Sequence, residues 1–219
     1  MLRTTANWHD DLARVGVLPA QQLRSRELRD RLIKEGLRIA RKTSFDEVGV
    51  ADICNAVECS TGAFYARFPD KLTLFKAVMV AAAAESGPML EAVVRETTFN
   101  RILAELTRAQ VARYIEQKTF FRSAFKVSLE SGEAWEPFRR NVHALTDAFL
   151  DRVAREPSID HARVDEARIR FAFQVMYGVL NNTIINQPGP FFLETPEFPE
   201  MLEQTMLATM DLPRKPTVS

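Results

Sequence analysis

The 219-residue chain has only two cysteines, Cys54 and Cys59, in one short segment with no histidine pair beside them, which excludes a disulfide framework and a zinc site. Both read first as small hydrophobes, with redox sensing as the minor alternative. Only three histidines are present, His9, His143 and His161, and none stands near an evident nucleophile. There is no GxSxG, HExxH or phosphate-binding glycine loop. No catalytic residue, metal or cofactor is therefore expected, and an enzyme is not the reading. Eight glycines, with no repeat or low-complexity tract, leave few places for flexible linkers. No apolar run reaches about 18 residues, and no cationic stretch leads into an apolar one at the start of the chain. A protein outside the membrane, in the cytoplasm, is the default expectation.

Net charge is also missing: 29 basic residues cancel 29 acidic ones, which at first argues against a nucleic-acid partner. The average conceals a local bias. Between Arg24 and Lys76 there are eleven basic residues (Arg24, Arg26, Arg29, Arg31, Lys34, Arg38, Arg41, Lys42, Arg67, Lys71 and Lys76) against eight acidic ones. With 46% hydrophobic and 26% charged residues, the composition is that of an ordinary globular chain, long enough for a small domain joined to a larger one.

Apolar residues recur at helical spacing and no segment alternates as a strand does, so the fold class is all α. Leu28, Leu32, Leu37 and Ala40 mark a helix over about 24–42. A short helix follows from Val50 to Val57, and Ser60 is placed to cap a third reaching about Phe68. Pro69 ends it, because the residue before proline is pushed out of the α region. Leu72, Phe75, Met79, Ala82 and Ala83 then predict a helix over 71–86, which Gly87 and Pro88 interrupt. Weaker periodicity covers 88–116 and 119–131, and Phe138, Val142, Leu145, Phe149 and Val153 define a helix over 136–155. The domains expected are an N-terminal extension (1–23), a three-helix helix-turn-helix unit (24–70), a connecting helix (71–87), a larger helical domain (88–213) and a tail (214–219). The extension reads as packed or disordered, or else as a DNA-contacting arm using Arg3 and Arg14.

Residues 164–186 differ because apolar side chains surround the helix: Ile169, Phe173, Met176, Leu180 and Ile184 on one side, Phe171, Val175, Gly178 and Ile185 on another. Such a helix must be buried on both faces, one in its own core and one against a second copy. The expected dimer interface is Phe171, Val175, Gly178, Asn182 and Ile185, with Leu202 and Met206 from a last helix ending before Pro213.

The most informative stretch is Phe45 to Lys71, where two short helices flank a tight turn. A helix fits the DNA major groove and reads base edges near its N-terminal end while flanking groups grip phosphate. Ser60, Thr61, Gly62 and Ala63 are small enough for close approach. Tyr65, Arg67 and Lys71 can reach phosphates, and base choice would rest on Thr61, Ala63 and Arg67. Asp52-Ile53, Ser60, Gly62, Phe64-Tyr65, Phe68 and Lys71 stand at the spacing of the TetR (tetracycline-repressor-like) signature, so about a quarter of the chain resembles that family's DNA-binding domain. Three positions depart from the pattern: Glu58 stands for the usual turn glycine, Thr61 for a frequent lysine and Gly49 for a capping serine or threonine. Glu58 would then need a positive φ angle, uncommon outside glycine and asparagine.

The resemblance implies a homodimeric, ligand-responsive transcriptional regulator, a repressor in preference to an activator. It would bind a pseudo-palindromic double-stranded DNA operator and be released by a small-molecule effector in the second domain. Candidate pocket residues are Phe121, Phe125, Phe149, Phe173 and Tyr177, for each of which plain core is the competing reading. The alternative function is a helical ligand-binding or protein-interaction module with little DNA affinity.

Overall fold

The computed structural model describes residues 6–215. These form ten α-helices, and the only β pairing among them is one bridge between Ile159 and Arg214. The helices are α1 (Trp8–Arg14), α2 (Leu23–Ala40), α3 (Val50–Ala56), α4 (Thr61–Tyr65), α5 (Lys71–Glu96), α6 (Ile102–Glu116), α7 (Lys118–Glu130), α8 (Glu136–Arg155), α9 (Glu166–Asn186) and α10 (Phe198–Met210). The all-α class is as the periodicity predicts.

The described residues fall into two compact units, one comprising residues up to 86 together with 117–140, the other 87–116 together with residues from 141 on. In the first unit, α1 buries Trp8, Leu12 and the following Val15 and Val17, so the described part of the extension is packed around these residues. The carboxylate of Asp11 is buried with it and faces Arg140 on α8. Arg14 lies 3.8 Å from the same carboxylate, while Arg3 is outside the described residues. The core of this unit gathers Leu32, Ile33 and Leu37 of α2, Ile53 of α3, Phe64 of α4 and Leu74, Phe75 and Val78 of α5, all at most 2% exposed. Fully burying one such side chain stabilises by about 1.5–3 kcal/mol. A run of ring contacts continues through Phe45, Phe75, Phe120, Phe121, Phe125, Trp135 and Phe138, with centroids between 4.5 and 6.2 Å apart. Gly36 lets α2 and α5 approach closely, since a Cβ there would sit 2.8 Å from Val78 Cγ2.

The expected end of the connecting helix at Gly87 and Pro88 is corrected: α5 runs on to Glu96 with Pro88 inside it. Proline lacks an N–H, so it removes one hydrogen bond, that to the carbonyl of Ala84, without ending the helix. Burial of Leu90 and Val94 on the following turns holds the continuation. The true end is marked by Arg152 of α8, whose guanidinium donates to the carbonyls of Val94, Arg95 and Thr97 at 2.6–2.8 Å. Cations are favourable there because a helix C-terminus carries partial negative charge.

In the second unit α6, α9 and α10 pack together around Ile102, Leu106, Phe173, Met176, Leu180 and Met206. Asp165 caps α9 by accepting from the N–H groups of Ala167 and Arg168. The face of α9 predicted for the core is buried throughout.

Candidate nucleic-acid interface

The helix-turn-helix is built from local hydrogen-bond chemistry. Gly49 has no side chain with which to cap α3, and its own N–H is instead accepted by Asp52 Oδ2 at 3.0 Å. At the other end of α3, the N–H of Glu58 donates to Asn55 O at 3.2 Å and that of Cys59 to Cys54 O at 3.0 Å. This pair of bonds is a Schellman motif, which requires a left-handed residue at the position Glu58 occupies. Glu58 adopts φ 55°, so the residue standing for glycine does take the strained conformation. Arg31 of α2 donates to the carbonyl of Val57 and holds the turn from behind.

Helix α4 is one residue removed from that turn. Ser60 Oγ accepts from Ala63 N at 3.1 Å, the expected N-cap, which leaves the hydroxyl proton free to donate outward. The helix ends at Tyr65, earlier than the sequence suggests, and the carbonyl of Arg67 is taken by the N–H of Leu18. Phe64 and Phe68 turn inward and are fully buried, while Ser60, Thr61, Gly62 and Tyr65 lie on the exposed side, Tyr65 at 51%. A Cβ at Gly62 would meet nothing nearer than Ser60 Oγ at 3.9 Å, so no packing demands glycine there. Ala63 is half-buried.

Two of the expected phosphate contacts are occupied inside the protein. Lys71, at the start of α5, donates to the carbonyls of Phe45, Asp46 and Val48 at 3.0, 3.1 and 2.9 Å and lies over the Phe45 ring. An ammonium has three N–H donors, and all three are used. Arg67 donates to Ser25 O at 3.1 Å and Ala63 O at 2.6 Å. The structure therefore brings Ser60, Thr61, Gly62 and Tyr65 together on one surface and turns Arg67 and Lys71 to hold the loops beside it. Much of the local basic surplus is likewise engaged, Arg41 with Glu85 and Arg38 with Glu35.

The two cysteines occupy the ends of the turn. Cys54 is buried and Cys59 partly exposed, and burial together with the neighbouring Cys59 thiol pushes the Cys54 thiol up to about 11.

The other sequence-predicted sites divide differently. Phe121 and Phe125 belong to the first unit, whereas Phe149, Phe173 and Tyr177 belong to the second, so no single unit holds all five pocket candidates. Phe149 and Phe173 meet edge to face at 5.6 Å. Around Tyr177 lies a buried polar cluster: Gln110 Nε2 donates to Tyr177 Oη at 2.5 Å, Arg113 Nε to Gln110 Oε1 at 3.1 Å and Tyr114 Oη to Asn181 Oδ1 at 2.7 Å. Burial pushes the Tyr177 hydroxyl up to about 12, against Arg113 and the Gln110 hydrogen bond, which pull it down. Periodicity could not reveal Gln110 and Arg113, which sit as polar residues on the buried face of α6.

Of the predicted interface residues, Phe171, Gly178, Asn182 and Ile185 are exposed along α9, Val175 is half-buried, and a Cβ at Gly178 would meet open space. Leu202 and Met206 are corrected: they are 3% and 0% exposed and face the chain's own core. They belong to the single apolar stripe Phe198, Leu202, Met206 and Met210, and a stripe that α10 needs for its own packing cannot also meet a partner. The outward apolar residues of α10 are Met201 and Leu207.

Residues 32–78 match the family model described as "Bacterial regulatory proteins, tetR family". No curated protein matches the chain. Among solved structures it is similar to a putative TetR-family transcriptional regulator from Mesorhizobium loti, with a TM-score of 0.62 and 19% identity over 87% of this chain and 96% of that one. RolR in complex with resorcinol gives a TM-score of 0.62 and 21% identity, covering 85% of this chain and 89% of that one. A TetR-family regulator from Streptomyces coelicolor gives 0.59 and 18%, covering 84% and 79%. At these identities the likeness shows the fold, while the match at 32–78 coincides with the capped, left-handed turn and the outward-facing α4. Residues 32–78 are thus similar to the DNA-binding domain of the tetR family of bacterial regulatory proteins, and the chain has the fold of the TetR-family structures it is similar to.

Proposed function

We propose that the protein is a cytoplasmic, homodimeric transcriptional repressor that binds a pseudo-palindromic operator through α4 and is released by a small molecule bound in the second unit. The observation that carries this reading is the exposed edge of α4, where Ser60, Thr61, Gly62 and Tyr65 stand clear of the core beneath Phe64 and Phe68. Small residues at a helix N-terminus allow the close approach that groove reading needs, and an exposed tyrosine hydroxyl suits a phosphate. Thr61 and Ala63 would choose bases. Arg67 and Lys71 would act on DNA through the loops they fasten, joining the direct contacts only if they exchange their carbonyl partners for phosphate.

Dimerisation would use the line Phe171, Gly178, Asn182 and Ile185 exposed on α9, with half-buried Val175 among them and Met201 and Leu207 exposed on α10. Two-fold symmetry would then set the paired α4 helices at a spacing compatible with successive major grooves, about 34–36 Å. The effector would be held within the second unit, among Phe149, Phe173 and the polar cluster at Tyr177. Support for a ligand in such a fold comes from RolR, whose structure contains resorcinol. Helix α5 is shared by both units, so it is the natural carrier of the response.

The test is enrichment of random duplexes on the full-length chain, followed by anisotropy titrations at about 50 and 200 mM salt. A palindromic consensus, steep salt dependence and a loss of affinity in Tyr65→Ala that is uniform across sequences are expected. A second reading, a helical module with little DNA affinity, is favoured by the internal engagement of Arg67 and Lys71. Failure to enrich any sequence would select it.

A further inference from the structure

A Schellman motif brings the residue three positions inside the helix end against the residue two positions past it, and a hydrophobic contact commonly joins their side chains. Here those residues are Cys54 and Cys59, tied by the 3.0 Å bond from Cys59 N–H to Cys54 O. A disulfide needs its α-carbons about 4.4–6.8 Å apart, and a helix-terminating bond between the same two residues draws them together. Cys59 is partly exposed and open to a small oxidant, whereas Cys54 lies beneath it.

We propose that Cys54 and Cys59 are a dithiol that a hydroperoxide oxidises to a disulfide across the helix-turn-helix turn, weakening operator binding. The regulatory half of this inference rests on the DNA-binding reading above. In the first step the Cys59 thiol gives its proton to solvent, the thiolate attacks the peroxide's terminal oxygen, the O–O bond breaks, the leaving alkoxide or hydroxide takes a proton back from solvent to depart as alcohol or water, and Cys59 becomes a sulfenic acid. In the second, the Cys54 sulfur attacks the Cys59 sulfur, the S–O bond breaks, and the departing hydroxide takes the Cys54 thiol proton to leave as water. Two electrons have passed from the thiols to the peroxide. A disulfide holds its sulfurs about 2.05 Å apart, well inside van der Waals contact, so closure pulls Cys59 toward α3. Ser60 follows Cys59 directly, and its bond to Ala63 N at the start of α4 shifts with it.

The experiment treats the reduced full-length protein with hydrogen peroxide, counts free thiols, maps cross-linked peptides and measures affinity for the enriched duplex. Expected are loss of both thiols within one chain, a fall in affinity of about tenfold and recovery with dithiothreitol. The variant Cys59→Ser binds the duplex when reduced and loses nothing on peroxide treatment. Two persisting thiols, a link between chains, or an intramolecular link with unchanged affinity each overturn the proposal. A reduced chain that binds no duplex sinks the DNA reading and the regulatory half with it, while the thiol count still decides whether the dithiol exists.

Discussion

Lys71 illustrates how a side chain that reads as a surface cation becomes a fastening. Its three bonds to the carbonyls of Phe45, Asp46 and Val48 fix the chain immediately before α3. Each hydrogen bond from a charged group contributes about 1.5–3 kcal/mol when well formed, less where solvent reaches it. Lys71→Met is expected to lower unfolding stability by about 2 kcal/mol and to weaken operator binding while the slope of log affinity against log salt stays unchanged. A slope reduced by about one would instead mark a phosphate contact. Tyr177 supports a second prediction at this scale. Its folded pKa of about 12 lies above the unfolded value, near 10, so the unfolded chain releases the proton first and the folded chain binds more protons between the two. Stability therefore falls as pH rises from about 10 to 12. Denaturant titrations at several alkaline pH values should show this slope in the wild type and a shallower one in Tyr177→Phe, with Tyr114 supplying part of the remainder because its hydroxyl is also shifted upward by burial.

At the scale of elements, what the sequence reveals depends on whether one segment suffices to decide it. The cap at Ser60, the helix over 136–155 and the inward face of α9 follow from spacing alone, and the structure has them there. The turn at Glu58 is local too: its φ of 55° is what a residue in the glycine position must adopt. Glu58→Gly should therefore raise stability by about 1 kcal/mol in a thermal melt, since the left-handed conformation costs a side-chain-bearing residue about 1–2 kcal/mol and glycine loses part of that advantage to unfolded-state entropy. The run through Pro88 was not readable, because Leu90 and Val94 continue α5 through burial that local propensity does not report. Nor was Gly36, whose requirement comes from Val78, 42 positions away in sequence. Gly36→Ala should destabilise by about 1–3 kcal/mol despite the better helix propensity of alanine, because the new methyl must displace Val78. A stabilised variant would show that α2 and α5 have room to separate.

For the whole molecule, the proposed function turns on how many copies of the chain associate. The apolar residues left facing outward on α9, Phe171 at 55% and Ile185 at 45%, are the kind a soluble chain covers. Phe171→Glu is expected to shift sedimentation from dimer to monomer and to reduce affinity for the palindrome far more than for a half-site. A dimer that survives the charge would place the interface elsewhere. The sequence supplied the outward face of α9 but misassigned Leu202 and Met206, because apolar periodicity locates a stripe without saying which neighbour covers it. Candidate pocket residues were still less readable: aromatic side chains are as suited to core as to cavity, and Gln110 and Arg113 acquire meaning only beside Tyr177.

The first unit is interrupted in sequence, with residues 87–116 inserted between its two stretches. No single cut can release it: trimming after residue 86 discards Phe120 and Phe121, and their loss strips Phe75 of a ring neighbour. A fragment ending there should be soluble only with its severed edge patched, and limited proteolysis should nick within the insertion without freeing a folded N-terminal piece. Grafting the first unit onto another protein would demand two splice points, chosen on either side of the inserted stretch.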